Sequence, residues 1–125
     1  MDDITHALWL AHLAALGARP RSAVSPTLAA AVRSLWSRLA AEVWGLYAPS
    51  AGASEGGDAY EMMWEMPEVG MVDVEIRGES WGWLVLTPSP WTGGGWEDGD
   101  DLPLDAPIPP ALADALRRIV AEQTP

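Results

Sequence analysis

Between Tyr47 and Tyr60 the apolar pattern of this chain changes from a helical period to strict alternation, which restricts it to a mixed helix-and-sheet fold. Upstream, Leu28, Val32, Leu35, Leu39, Val43 and Leu46 recur at spacings of four, three, four, four and three. Trp36, Ala40, Trp44 and Tyr47 form a second stripe beside the first, so this helix needs neighbours on two sides. Arg33, Ser37 and Arg38 fall on its polar side. Ser25 offers a side-chain acceptor at the N-cap. Pro26 suits the first helical position, where its missing N–H would have had no partner.

Downstream, Tyr60, Met62, Trp64 and Met66 alternate with Glu61, Met63 and Glu65. Val72, Val74 and Ile76 then alternate with Asp73, Glu75 and Arg77, and Trp81, Trp83 and Val85 with Leu84 and Leu86. These runs predict three strands. The links around Pro67–Gly70 and at Gly78-Glu79 are too short for crossover helices, so the strands form an antiparallel meander. A first helix is expected over about Asp3–Leu16, with Ile4, Leu8, Ala11 and Ala15 in one stripe and Trp9, Leu13 and Leu16 beside it. Gly17 and Pro20 stop it. A last helix starts at Pro110, with Leu112, Leu116, Ile119 and Val120 on one face and Asp114, Arg117, Arg118 and Glu122 on the other.

The expected architecture is one two-layer α+β domain over residues 1–125, in the order α-α-β-β-β-α, with a three-stranded meander packed on helices. Its parts are a helical segment 1–47, a loop 48–58, the meander 59–87, an irregular acidic Pro/Gly-rich loop 88–109 and the helix 110–123. A chain of 125 residues, 49 % hydrophobic, has material for one real core. Its aromatic share is unusual, with eight Trp, two Tyr and no Phe. Each buried Trp removes about 150–250 Å² from water but brings an N–H that needs an acceptor.

Charge is the strongest functional clue. From Tyr60 to Pro125 the chain has thirteen acidic residues against Arg77, Arg117 and Arg118, whereas residues 1–58 are nearly neutral. The formal charge of −11 opposes nucleic acid and anionic membrane and suits a basic protein surface. With no cysteine there is no disulfide framework, thiolate metal site or thiol nucleophile. Met1-Asp2-Asp3 is acidic where a secretory leader is basic, and the apolar run Ala7–Leu16 is too short to span a bilayer. A cytoplasmic protein is expected.

Catalytic and metal chemistry find little support. His6 and His12 are six residues apart, about 120° around a helix, and cannot share a metal. No HExxH, G-x-S-x-G or phosphate-loop motif occurs. The run Glu97-Asp98-Gly99-Asp100-Asp101 fails as an EF-hand: counted from Asp98 the twelfth residue is Pro109, and Pro103 and Pro107 intervene. Neither a cofactor nor a catalytic residue is expected. Paired carboxylates would suit glycoside hydrolysis only in a cleft of defined spacing, which a wet sheet face does not provide.

Alternation puts Glu61, Met63, Glu65, Asp73 and Glu75 together on the sheet face turned away from the helices. Like charges opposed across strands cost a few tenths to about 1 kcal/mol each. Salt screens such a face beyond about 8–10 Å, so it can exist without a partner, but a basic protein docking on it would account for its sign. Trp91, Trp96, Asp98, Asp100 and Asp101 in the Pro/Gly-rich segment extend the candidate surface. The expected function is a non-enzymatic protein-interaction domain of the inhibitor, immunity or antitoxin kind, or an accessory subunit. Two other functions fit less well: a small-molecule or carbohydrate module using exposed Trp, and a DNA mimic. An apolar face left over on the second helix would make the chain a homodimer.

Overall fold

Helices and strands alternate in blocks along the residues described by this computed structural model, 3–17, 24–54, 56–67, 69–87 and 95–123. Their order is α1 (Asp3–Ala15), α2 (Pro26–Glu42), β1 (Ser50–Ala53), β2 (Tyr60–Met66), β3 (Gly70–Arg77), β4 (Ser80–Thr87), β5 (Gly95–Pro103) and α3 (Pro110–Gln123). The five strands form one antiparallel sheet whose spatial order, β1-β2-β3-β4-β5, is the chain order. This is an α+β fold with helices over one sheet face. No described helix is long and apolar enough to cross a membrane.

The central strands follow the alternation. Tyr60, Met62 and Trp64 of β2, Val72, Val74 and Ile76 of β3, and Trp81 and Val85 of β4 are buried beneath the helices. Leu28, Val32, Leu35 and Leu39 of α2 and Leu112, Leu116 and Ile119 of α3 close the core from above. A two-residue turn at Gly78-Glu79 joins β3 to β4, and Gly78 takes the positive φ of 40° that such hairpins need.

Two strands lie where irregular chain was expected, so the meander has five strands and not three. β1 falls in the segment 48–58 and β5 in 88–109. Neither Ser-Ala-Gly-Ala nor Trp-Glu-Asp-Gly-Asp-Asp is rich in β-branched residues; what makes them strands is pairing with β2 and β4, which offer unpaired backbone groups at both edges. β5 takes one extra residue between its pairings with Trp83 and Trp81. Asp101 accommodates that bulge with a left-handed φ of 53°.

Ser25 caps α2 as the sequence predicts, its Oγ accepting from Leu28 N at 3.1 Å. The helix ends earlier than its apolar stripes. Val43 turns extended while its N–H still reaches Leu39 O, so Trp44, beyond the cap, is 93 % exposed instead of joining the second stripe. Arg33 and Arg38, expected on a solvated side, are tied to backbone. One Arg33 nitrogen donates to both Leu13 O and Leu16 O at 3.0 Å, capping the end of α1, and Arg38 donates to Leu104 O and Ala106 O.

Of the two stripes on α1, Trp9 and Leu13 are buried, while Ile4 and Leu8 are 70 % and 66 % exposed. The choice is made by Trp9, which meets Trp36 edge-on with ring centroids 5.4 Å apart. His12 stacks on Trp9 and its Nε2 lies 2.9 Å from Tyr60 Oη. The remaining buried indoles are also placed: Trp64 stacks on Trp36 and donates to Tyr47 O at 2.8 Å, and Trp81 donates to Pro103 O at 3.1 Å.

Candidate docking face

The sheet face away from the helices is built row by row from the strand registers. One row runs Glu65, Met71, Leu86, Trp96. The next runs Ser50, Met63, Asp73, Leu84, Asp98, and the third Gly52, Glu61, Glu75, Gly82. Asp100 closes the third row, its Oδ1 lying 2.8 Å from where a Cβ on Gly82 would sit. The result is an apolar patch of Met63, Met71, Leu84, Leu86 and Trp96 set among Glu61, Glu65, Asp73, Glu75, Asp98 and Asp100. Trp96 is 73 % exposed.

Small residues shape this surface. Gly52 leaves open space above β1, and a shallow depression of about 570 Å³ forms there, lined by Ser50, Gly52, Glu61, Met63, Glu75 and Arg77. Gly82 leaves a second, about 250 Å³, between Asp73, Glu75, Leu84, Asp98 and Asp100. The two share Glu75 and Arg77, so they form one trough across the strands.

Arg77 neutralises one end of the trough. Its Nε lies 2.8 Å from Glu75 Oε1, and one terminal nitrogen lies 3.1 Å from Asp100 Oδ1 and 3.7 Å from Asp101 Oδ1. Among the described residues no ion pair reaches Glu61, Glu65, Asp73 or Asp98. Glu61 stands directly opposite Glu75, and Asp73 is beside both. Asp73 is accordingly perturbed: partial burial first, then the charges of Glu61 and Glu75 and a hydrogen bond with Glu61, push its pKa up to about 6. Its Oδ1 is shut off from solvent with no hydrogen-bond partner. Among the described residues no three His, Asp or Glu side chains converge to hold a metal ion.

This perturbation has a measurable consequence. A carboxyl whose pKa is raised on folding stabilises the fold below its unfolded pKa, near 3.9, and that stability is lost as pH climbs through 6. Asp73→Asn removes the penalty. The substitution should stabilise the protein at pH 7.5 by about 1 kcal/mol, a value reduced for the solvent screening of a partly exposed group, and do nothing at pH 4. Urea unfolding of both proteins at the two pH values measures it. Equal stability gains at both would show that charge is not the cause.

Of the residues singled out from sequence, Glu61, Met63, Glu65, Asp73, Glu75, Trp96, Asp98 and Asp100 come together on this face. Asp101 sits at the bulge on its rim, and Trp91 lies outside the described residues. Leu84, Leu86, Gly52 and Gly82 complete the surface and had not been assigned to it. The alternation of Trp96, Asp98 and Asp100 with Glu97 and Gly99 was the available sign that β5 would join. No family model, curated protein or solved structure matches this chain.

Proposed function

We propose that this protein is a non-enzymatic interaction domain that docks its outer sheet face on a basic protein surface, as an inhibitor, immunity-type partner or accessory subunit. What carries this reading is the composition of one continuous face: an apolar row of Met71, Leu86 and exposed Trp96 running beside carboxylates, of which four have no ion pair among the described residues. Protein interfaces draw on exposed aromatic and Met side chains of this kind as anchors, with polar and charged groups beside them. Carboxylates at the rim would speed encounter with a basic partner, and Trp96, Leu86 and Met71 would set the lifetime of the complex. A DNA mimic shares the charge but presents carboxylates in place of phosphates, and the apolar row of Met71, Leu86 and Trp96, which has no counterpart in a phosphate backbone, counts against that reading.

Affinity capture from source-cell lysate, with the wild-type chain and two variants as bait, tests it. A basic protein should bind the wild type at low salt and leave at high salt. Glu61→Lys/Asp98→Lys should slow its association and lower affinity by at least about tenfold. Trp96→Ala should mainly raise dissociation, by about tenfold to a hundredfold, and leave the melting temperature unchanged. Capture that ignores both salt and the sheet-face substitutions would sink the proposal. Trp fluorescence that responds to a sugar or metabolite, independently of salt, would favour a small-molecule module instead.

A further inference from the structure

The helical layer presents a second surface of opposite character. Opposite Trp9 and Leu13, helix α1 exposes Ile4, Ala7, Leu8, Ala11, Ala14 and Ala15. Between Asp3 and Arg19 the sequence contains no Asp, Glu, Lys or Arg, so this face is uncharged from end to end. Beside it, opposite the core-facing Val32, Leu35 and Leu39, α2 exposes Ala30, Ser34, Ser37 and Ala41. These ridges repeat the same spacing of four, three and four residues that lines up a helical seam. The two arginines of α2 leave the ridge neutral, because Arg33 turns toward the carbonyls of α1 and Arg38 toward Leu104 and Ala106.

We propose that two copies of this chain associate through the outer face of α1 and the adjoining ridge of α2, related by a two-fold axis. The occupant follows from charge and size. A chain of net charge −11 repels its own copy over most of its surface, and the sheet face concentrates that repulsion. The α1–α2 face is free of it. An isologous contact places the same patch against itself, which a neutral patch tolerates and an acidic one does not. Alanine on the α1 ridge and alanine and serine on the α2 ridge let helix axes approach closely, at the short end of the 8–10 Å range, with Leu8 and Ile4 as the larger contacts. With α1 about 20 Å long and α2 one helix diameter away, the footprint is roughly 20 by 20 Å in projection. Side-chain relief brings that to the order of the ~800 Å² per partner that stable complexes bury. An apolar face left over on the second helix is the dimer contact that the sequence offers; the structure covers the stripes of that helix except at Trp44, beyond its end, and exposes the outer face of the first helix instead.

Sedimentation equilibrium from 1 to 100 µM, with circular dichroism on the same samples, tests the proposal. The wild type should approach a species of twice 13.4 kDa as concentration rises. Leu8→Glu, at an exposed position, should keep its helicity and raise the dimer dissociation constant by at least about 100-fold, since the symmetric contact carries the substitution twice. Glu75→Lys on the sheet face should leave the dimer intact. Because the chain has no cysteine, Ala11→Cys gives an independent readout that does not depend on Leu8→Glu folding. Mild oxidation should link two copies through Cys at that position, where Cα atoms can approach within about 7 Å, while Ala121→Cys on α3 should stay unlinked. A wild type that remains at 13.4 kDa at 100 µM overturns the proposal and leaves the face to a different protein. A dimer unaffected by Leu8→Glu, with no Ala11→Cys crosslink, overturns it equally.

Discussion

Trp64→Ala should cost about 3–5 kcal/mol of folding stability, whereas Trp44→Ala, the same substitution in the same protein, should cost almost nothing. Trp64 is fully buried in β2, lies stacked on Trp36 and donates its indole N–H to Tyr47 O at 2.8 Å. Truncation removes a large apolar area, leaves a cavity beside Trp36 and orphans the Tyr47 carbonyl that holds the α2–β1 link. Domains of this size are stable by only about 5–15 kcal/mol, so the Trp64 variant should be close to unfolded at 37 °C. Trp44 projects past the end of α2 with nothing to lose but solvent contact. Denaturant titration of both variants measures the difference, and a Trp44 loss above about 1 kcal/mol would contradict the exposed placement.

Gly99→Ala should be the second most damaging change, at about 1–3 kcal/mol, and the reason is steric alone. A Cβ at Gly99 would lie 2.4 Å from Trp83 Nε1 and 3.1 and 3.2 Å from two further ring carbons. Trp83 faces Gly99 across the β4–β5 pair and packs against the core, so the indole cannot swing aside without losing that packing. Gly52→Ala is the matched control: nothing lies within 4 Å of its Cβ position, and the change should be neutral or slightly stabilising through the unfolded state. Equal thermal melting of the Gly99 and Gly52 variants would refute the close approach of Trp83.

Elements that carry their own instructions were legible in the sequence, and those that depend on a neighbour were not. Ser25-Pro26 states where α2 begins, and the alternation of Tyr60–Met66 and Met71–Arg77 states both the strands and their wet faces. β1 and β5 have no such signature, since each becomes a strand by completing the hydrogen bonds of β2 or β4. The end of α2 was misread because Trp44 continues an apolar stripe that the extended Val43 cap interrupts. α1 is apolar on every side, so periodicity names its stripes without saying which one is covered. The same logic governs the docking face. Glu61, Glu65, Asp73 and Glu75 were placed there by period alone, but bringing Trp96 and Asp98 beside them required the β4–β5 register.

Because the sheet follows chain order, each strand can zip onto the one made just before it, through links as short as two residues. Such local pairing keeps the entropic cost of closing the sheet low and favours rapid assembly. Cover for the sheet arrives later. Helix α3 covers β2, β3 and β4, yet it is the last of these elements to be synthesised. During translation the inner side of the sheet, with Met62, Val74 and Trp81, must therefore wait half covered until Leu112, Leu116 and Ile119 clear the ribosome. The nascent chain is most exposed to aggregation and to chaperone capture in that interval, and truncation before Pro110 would make it permanent.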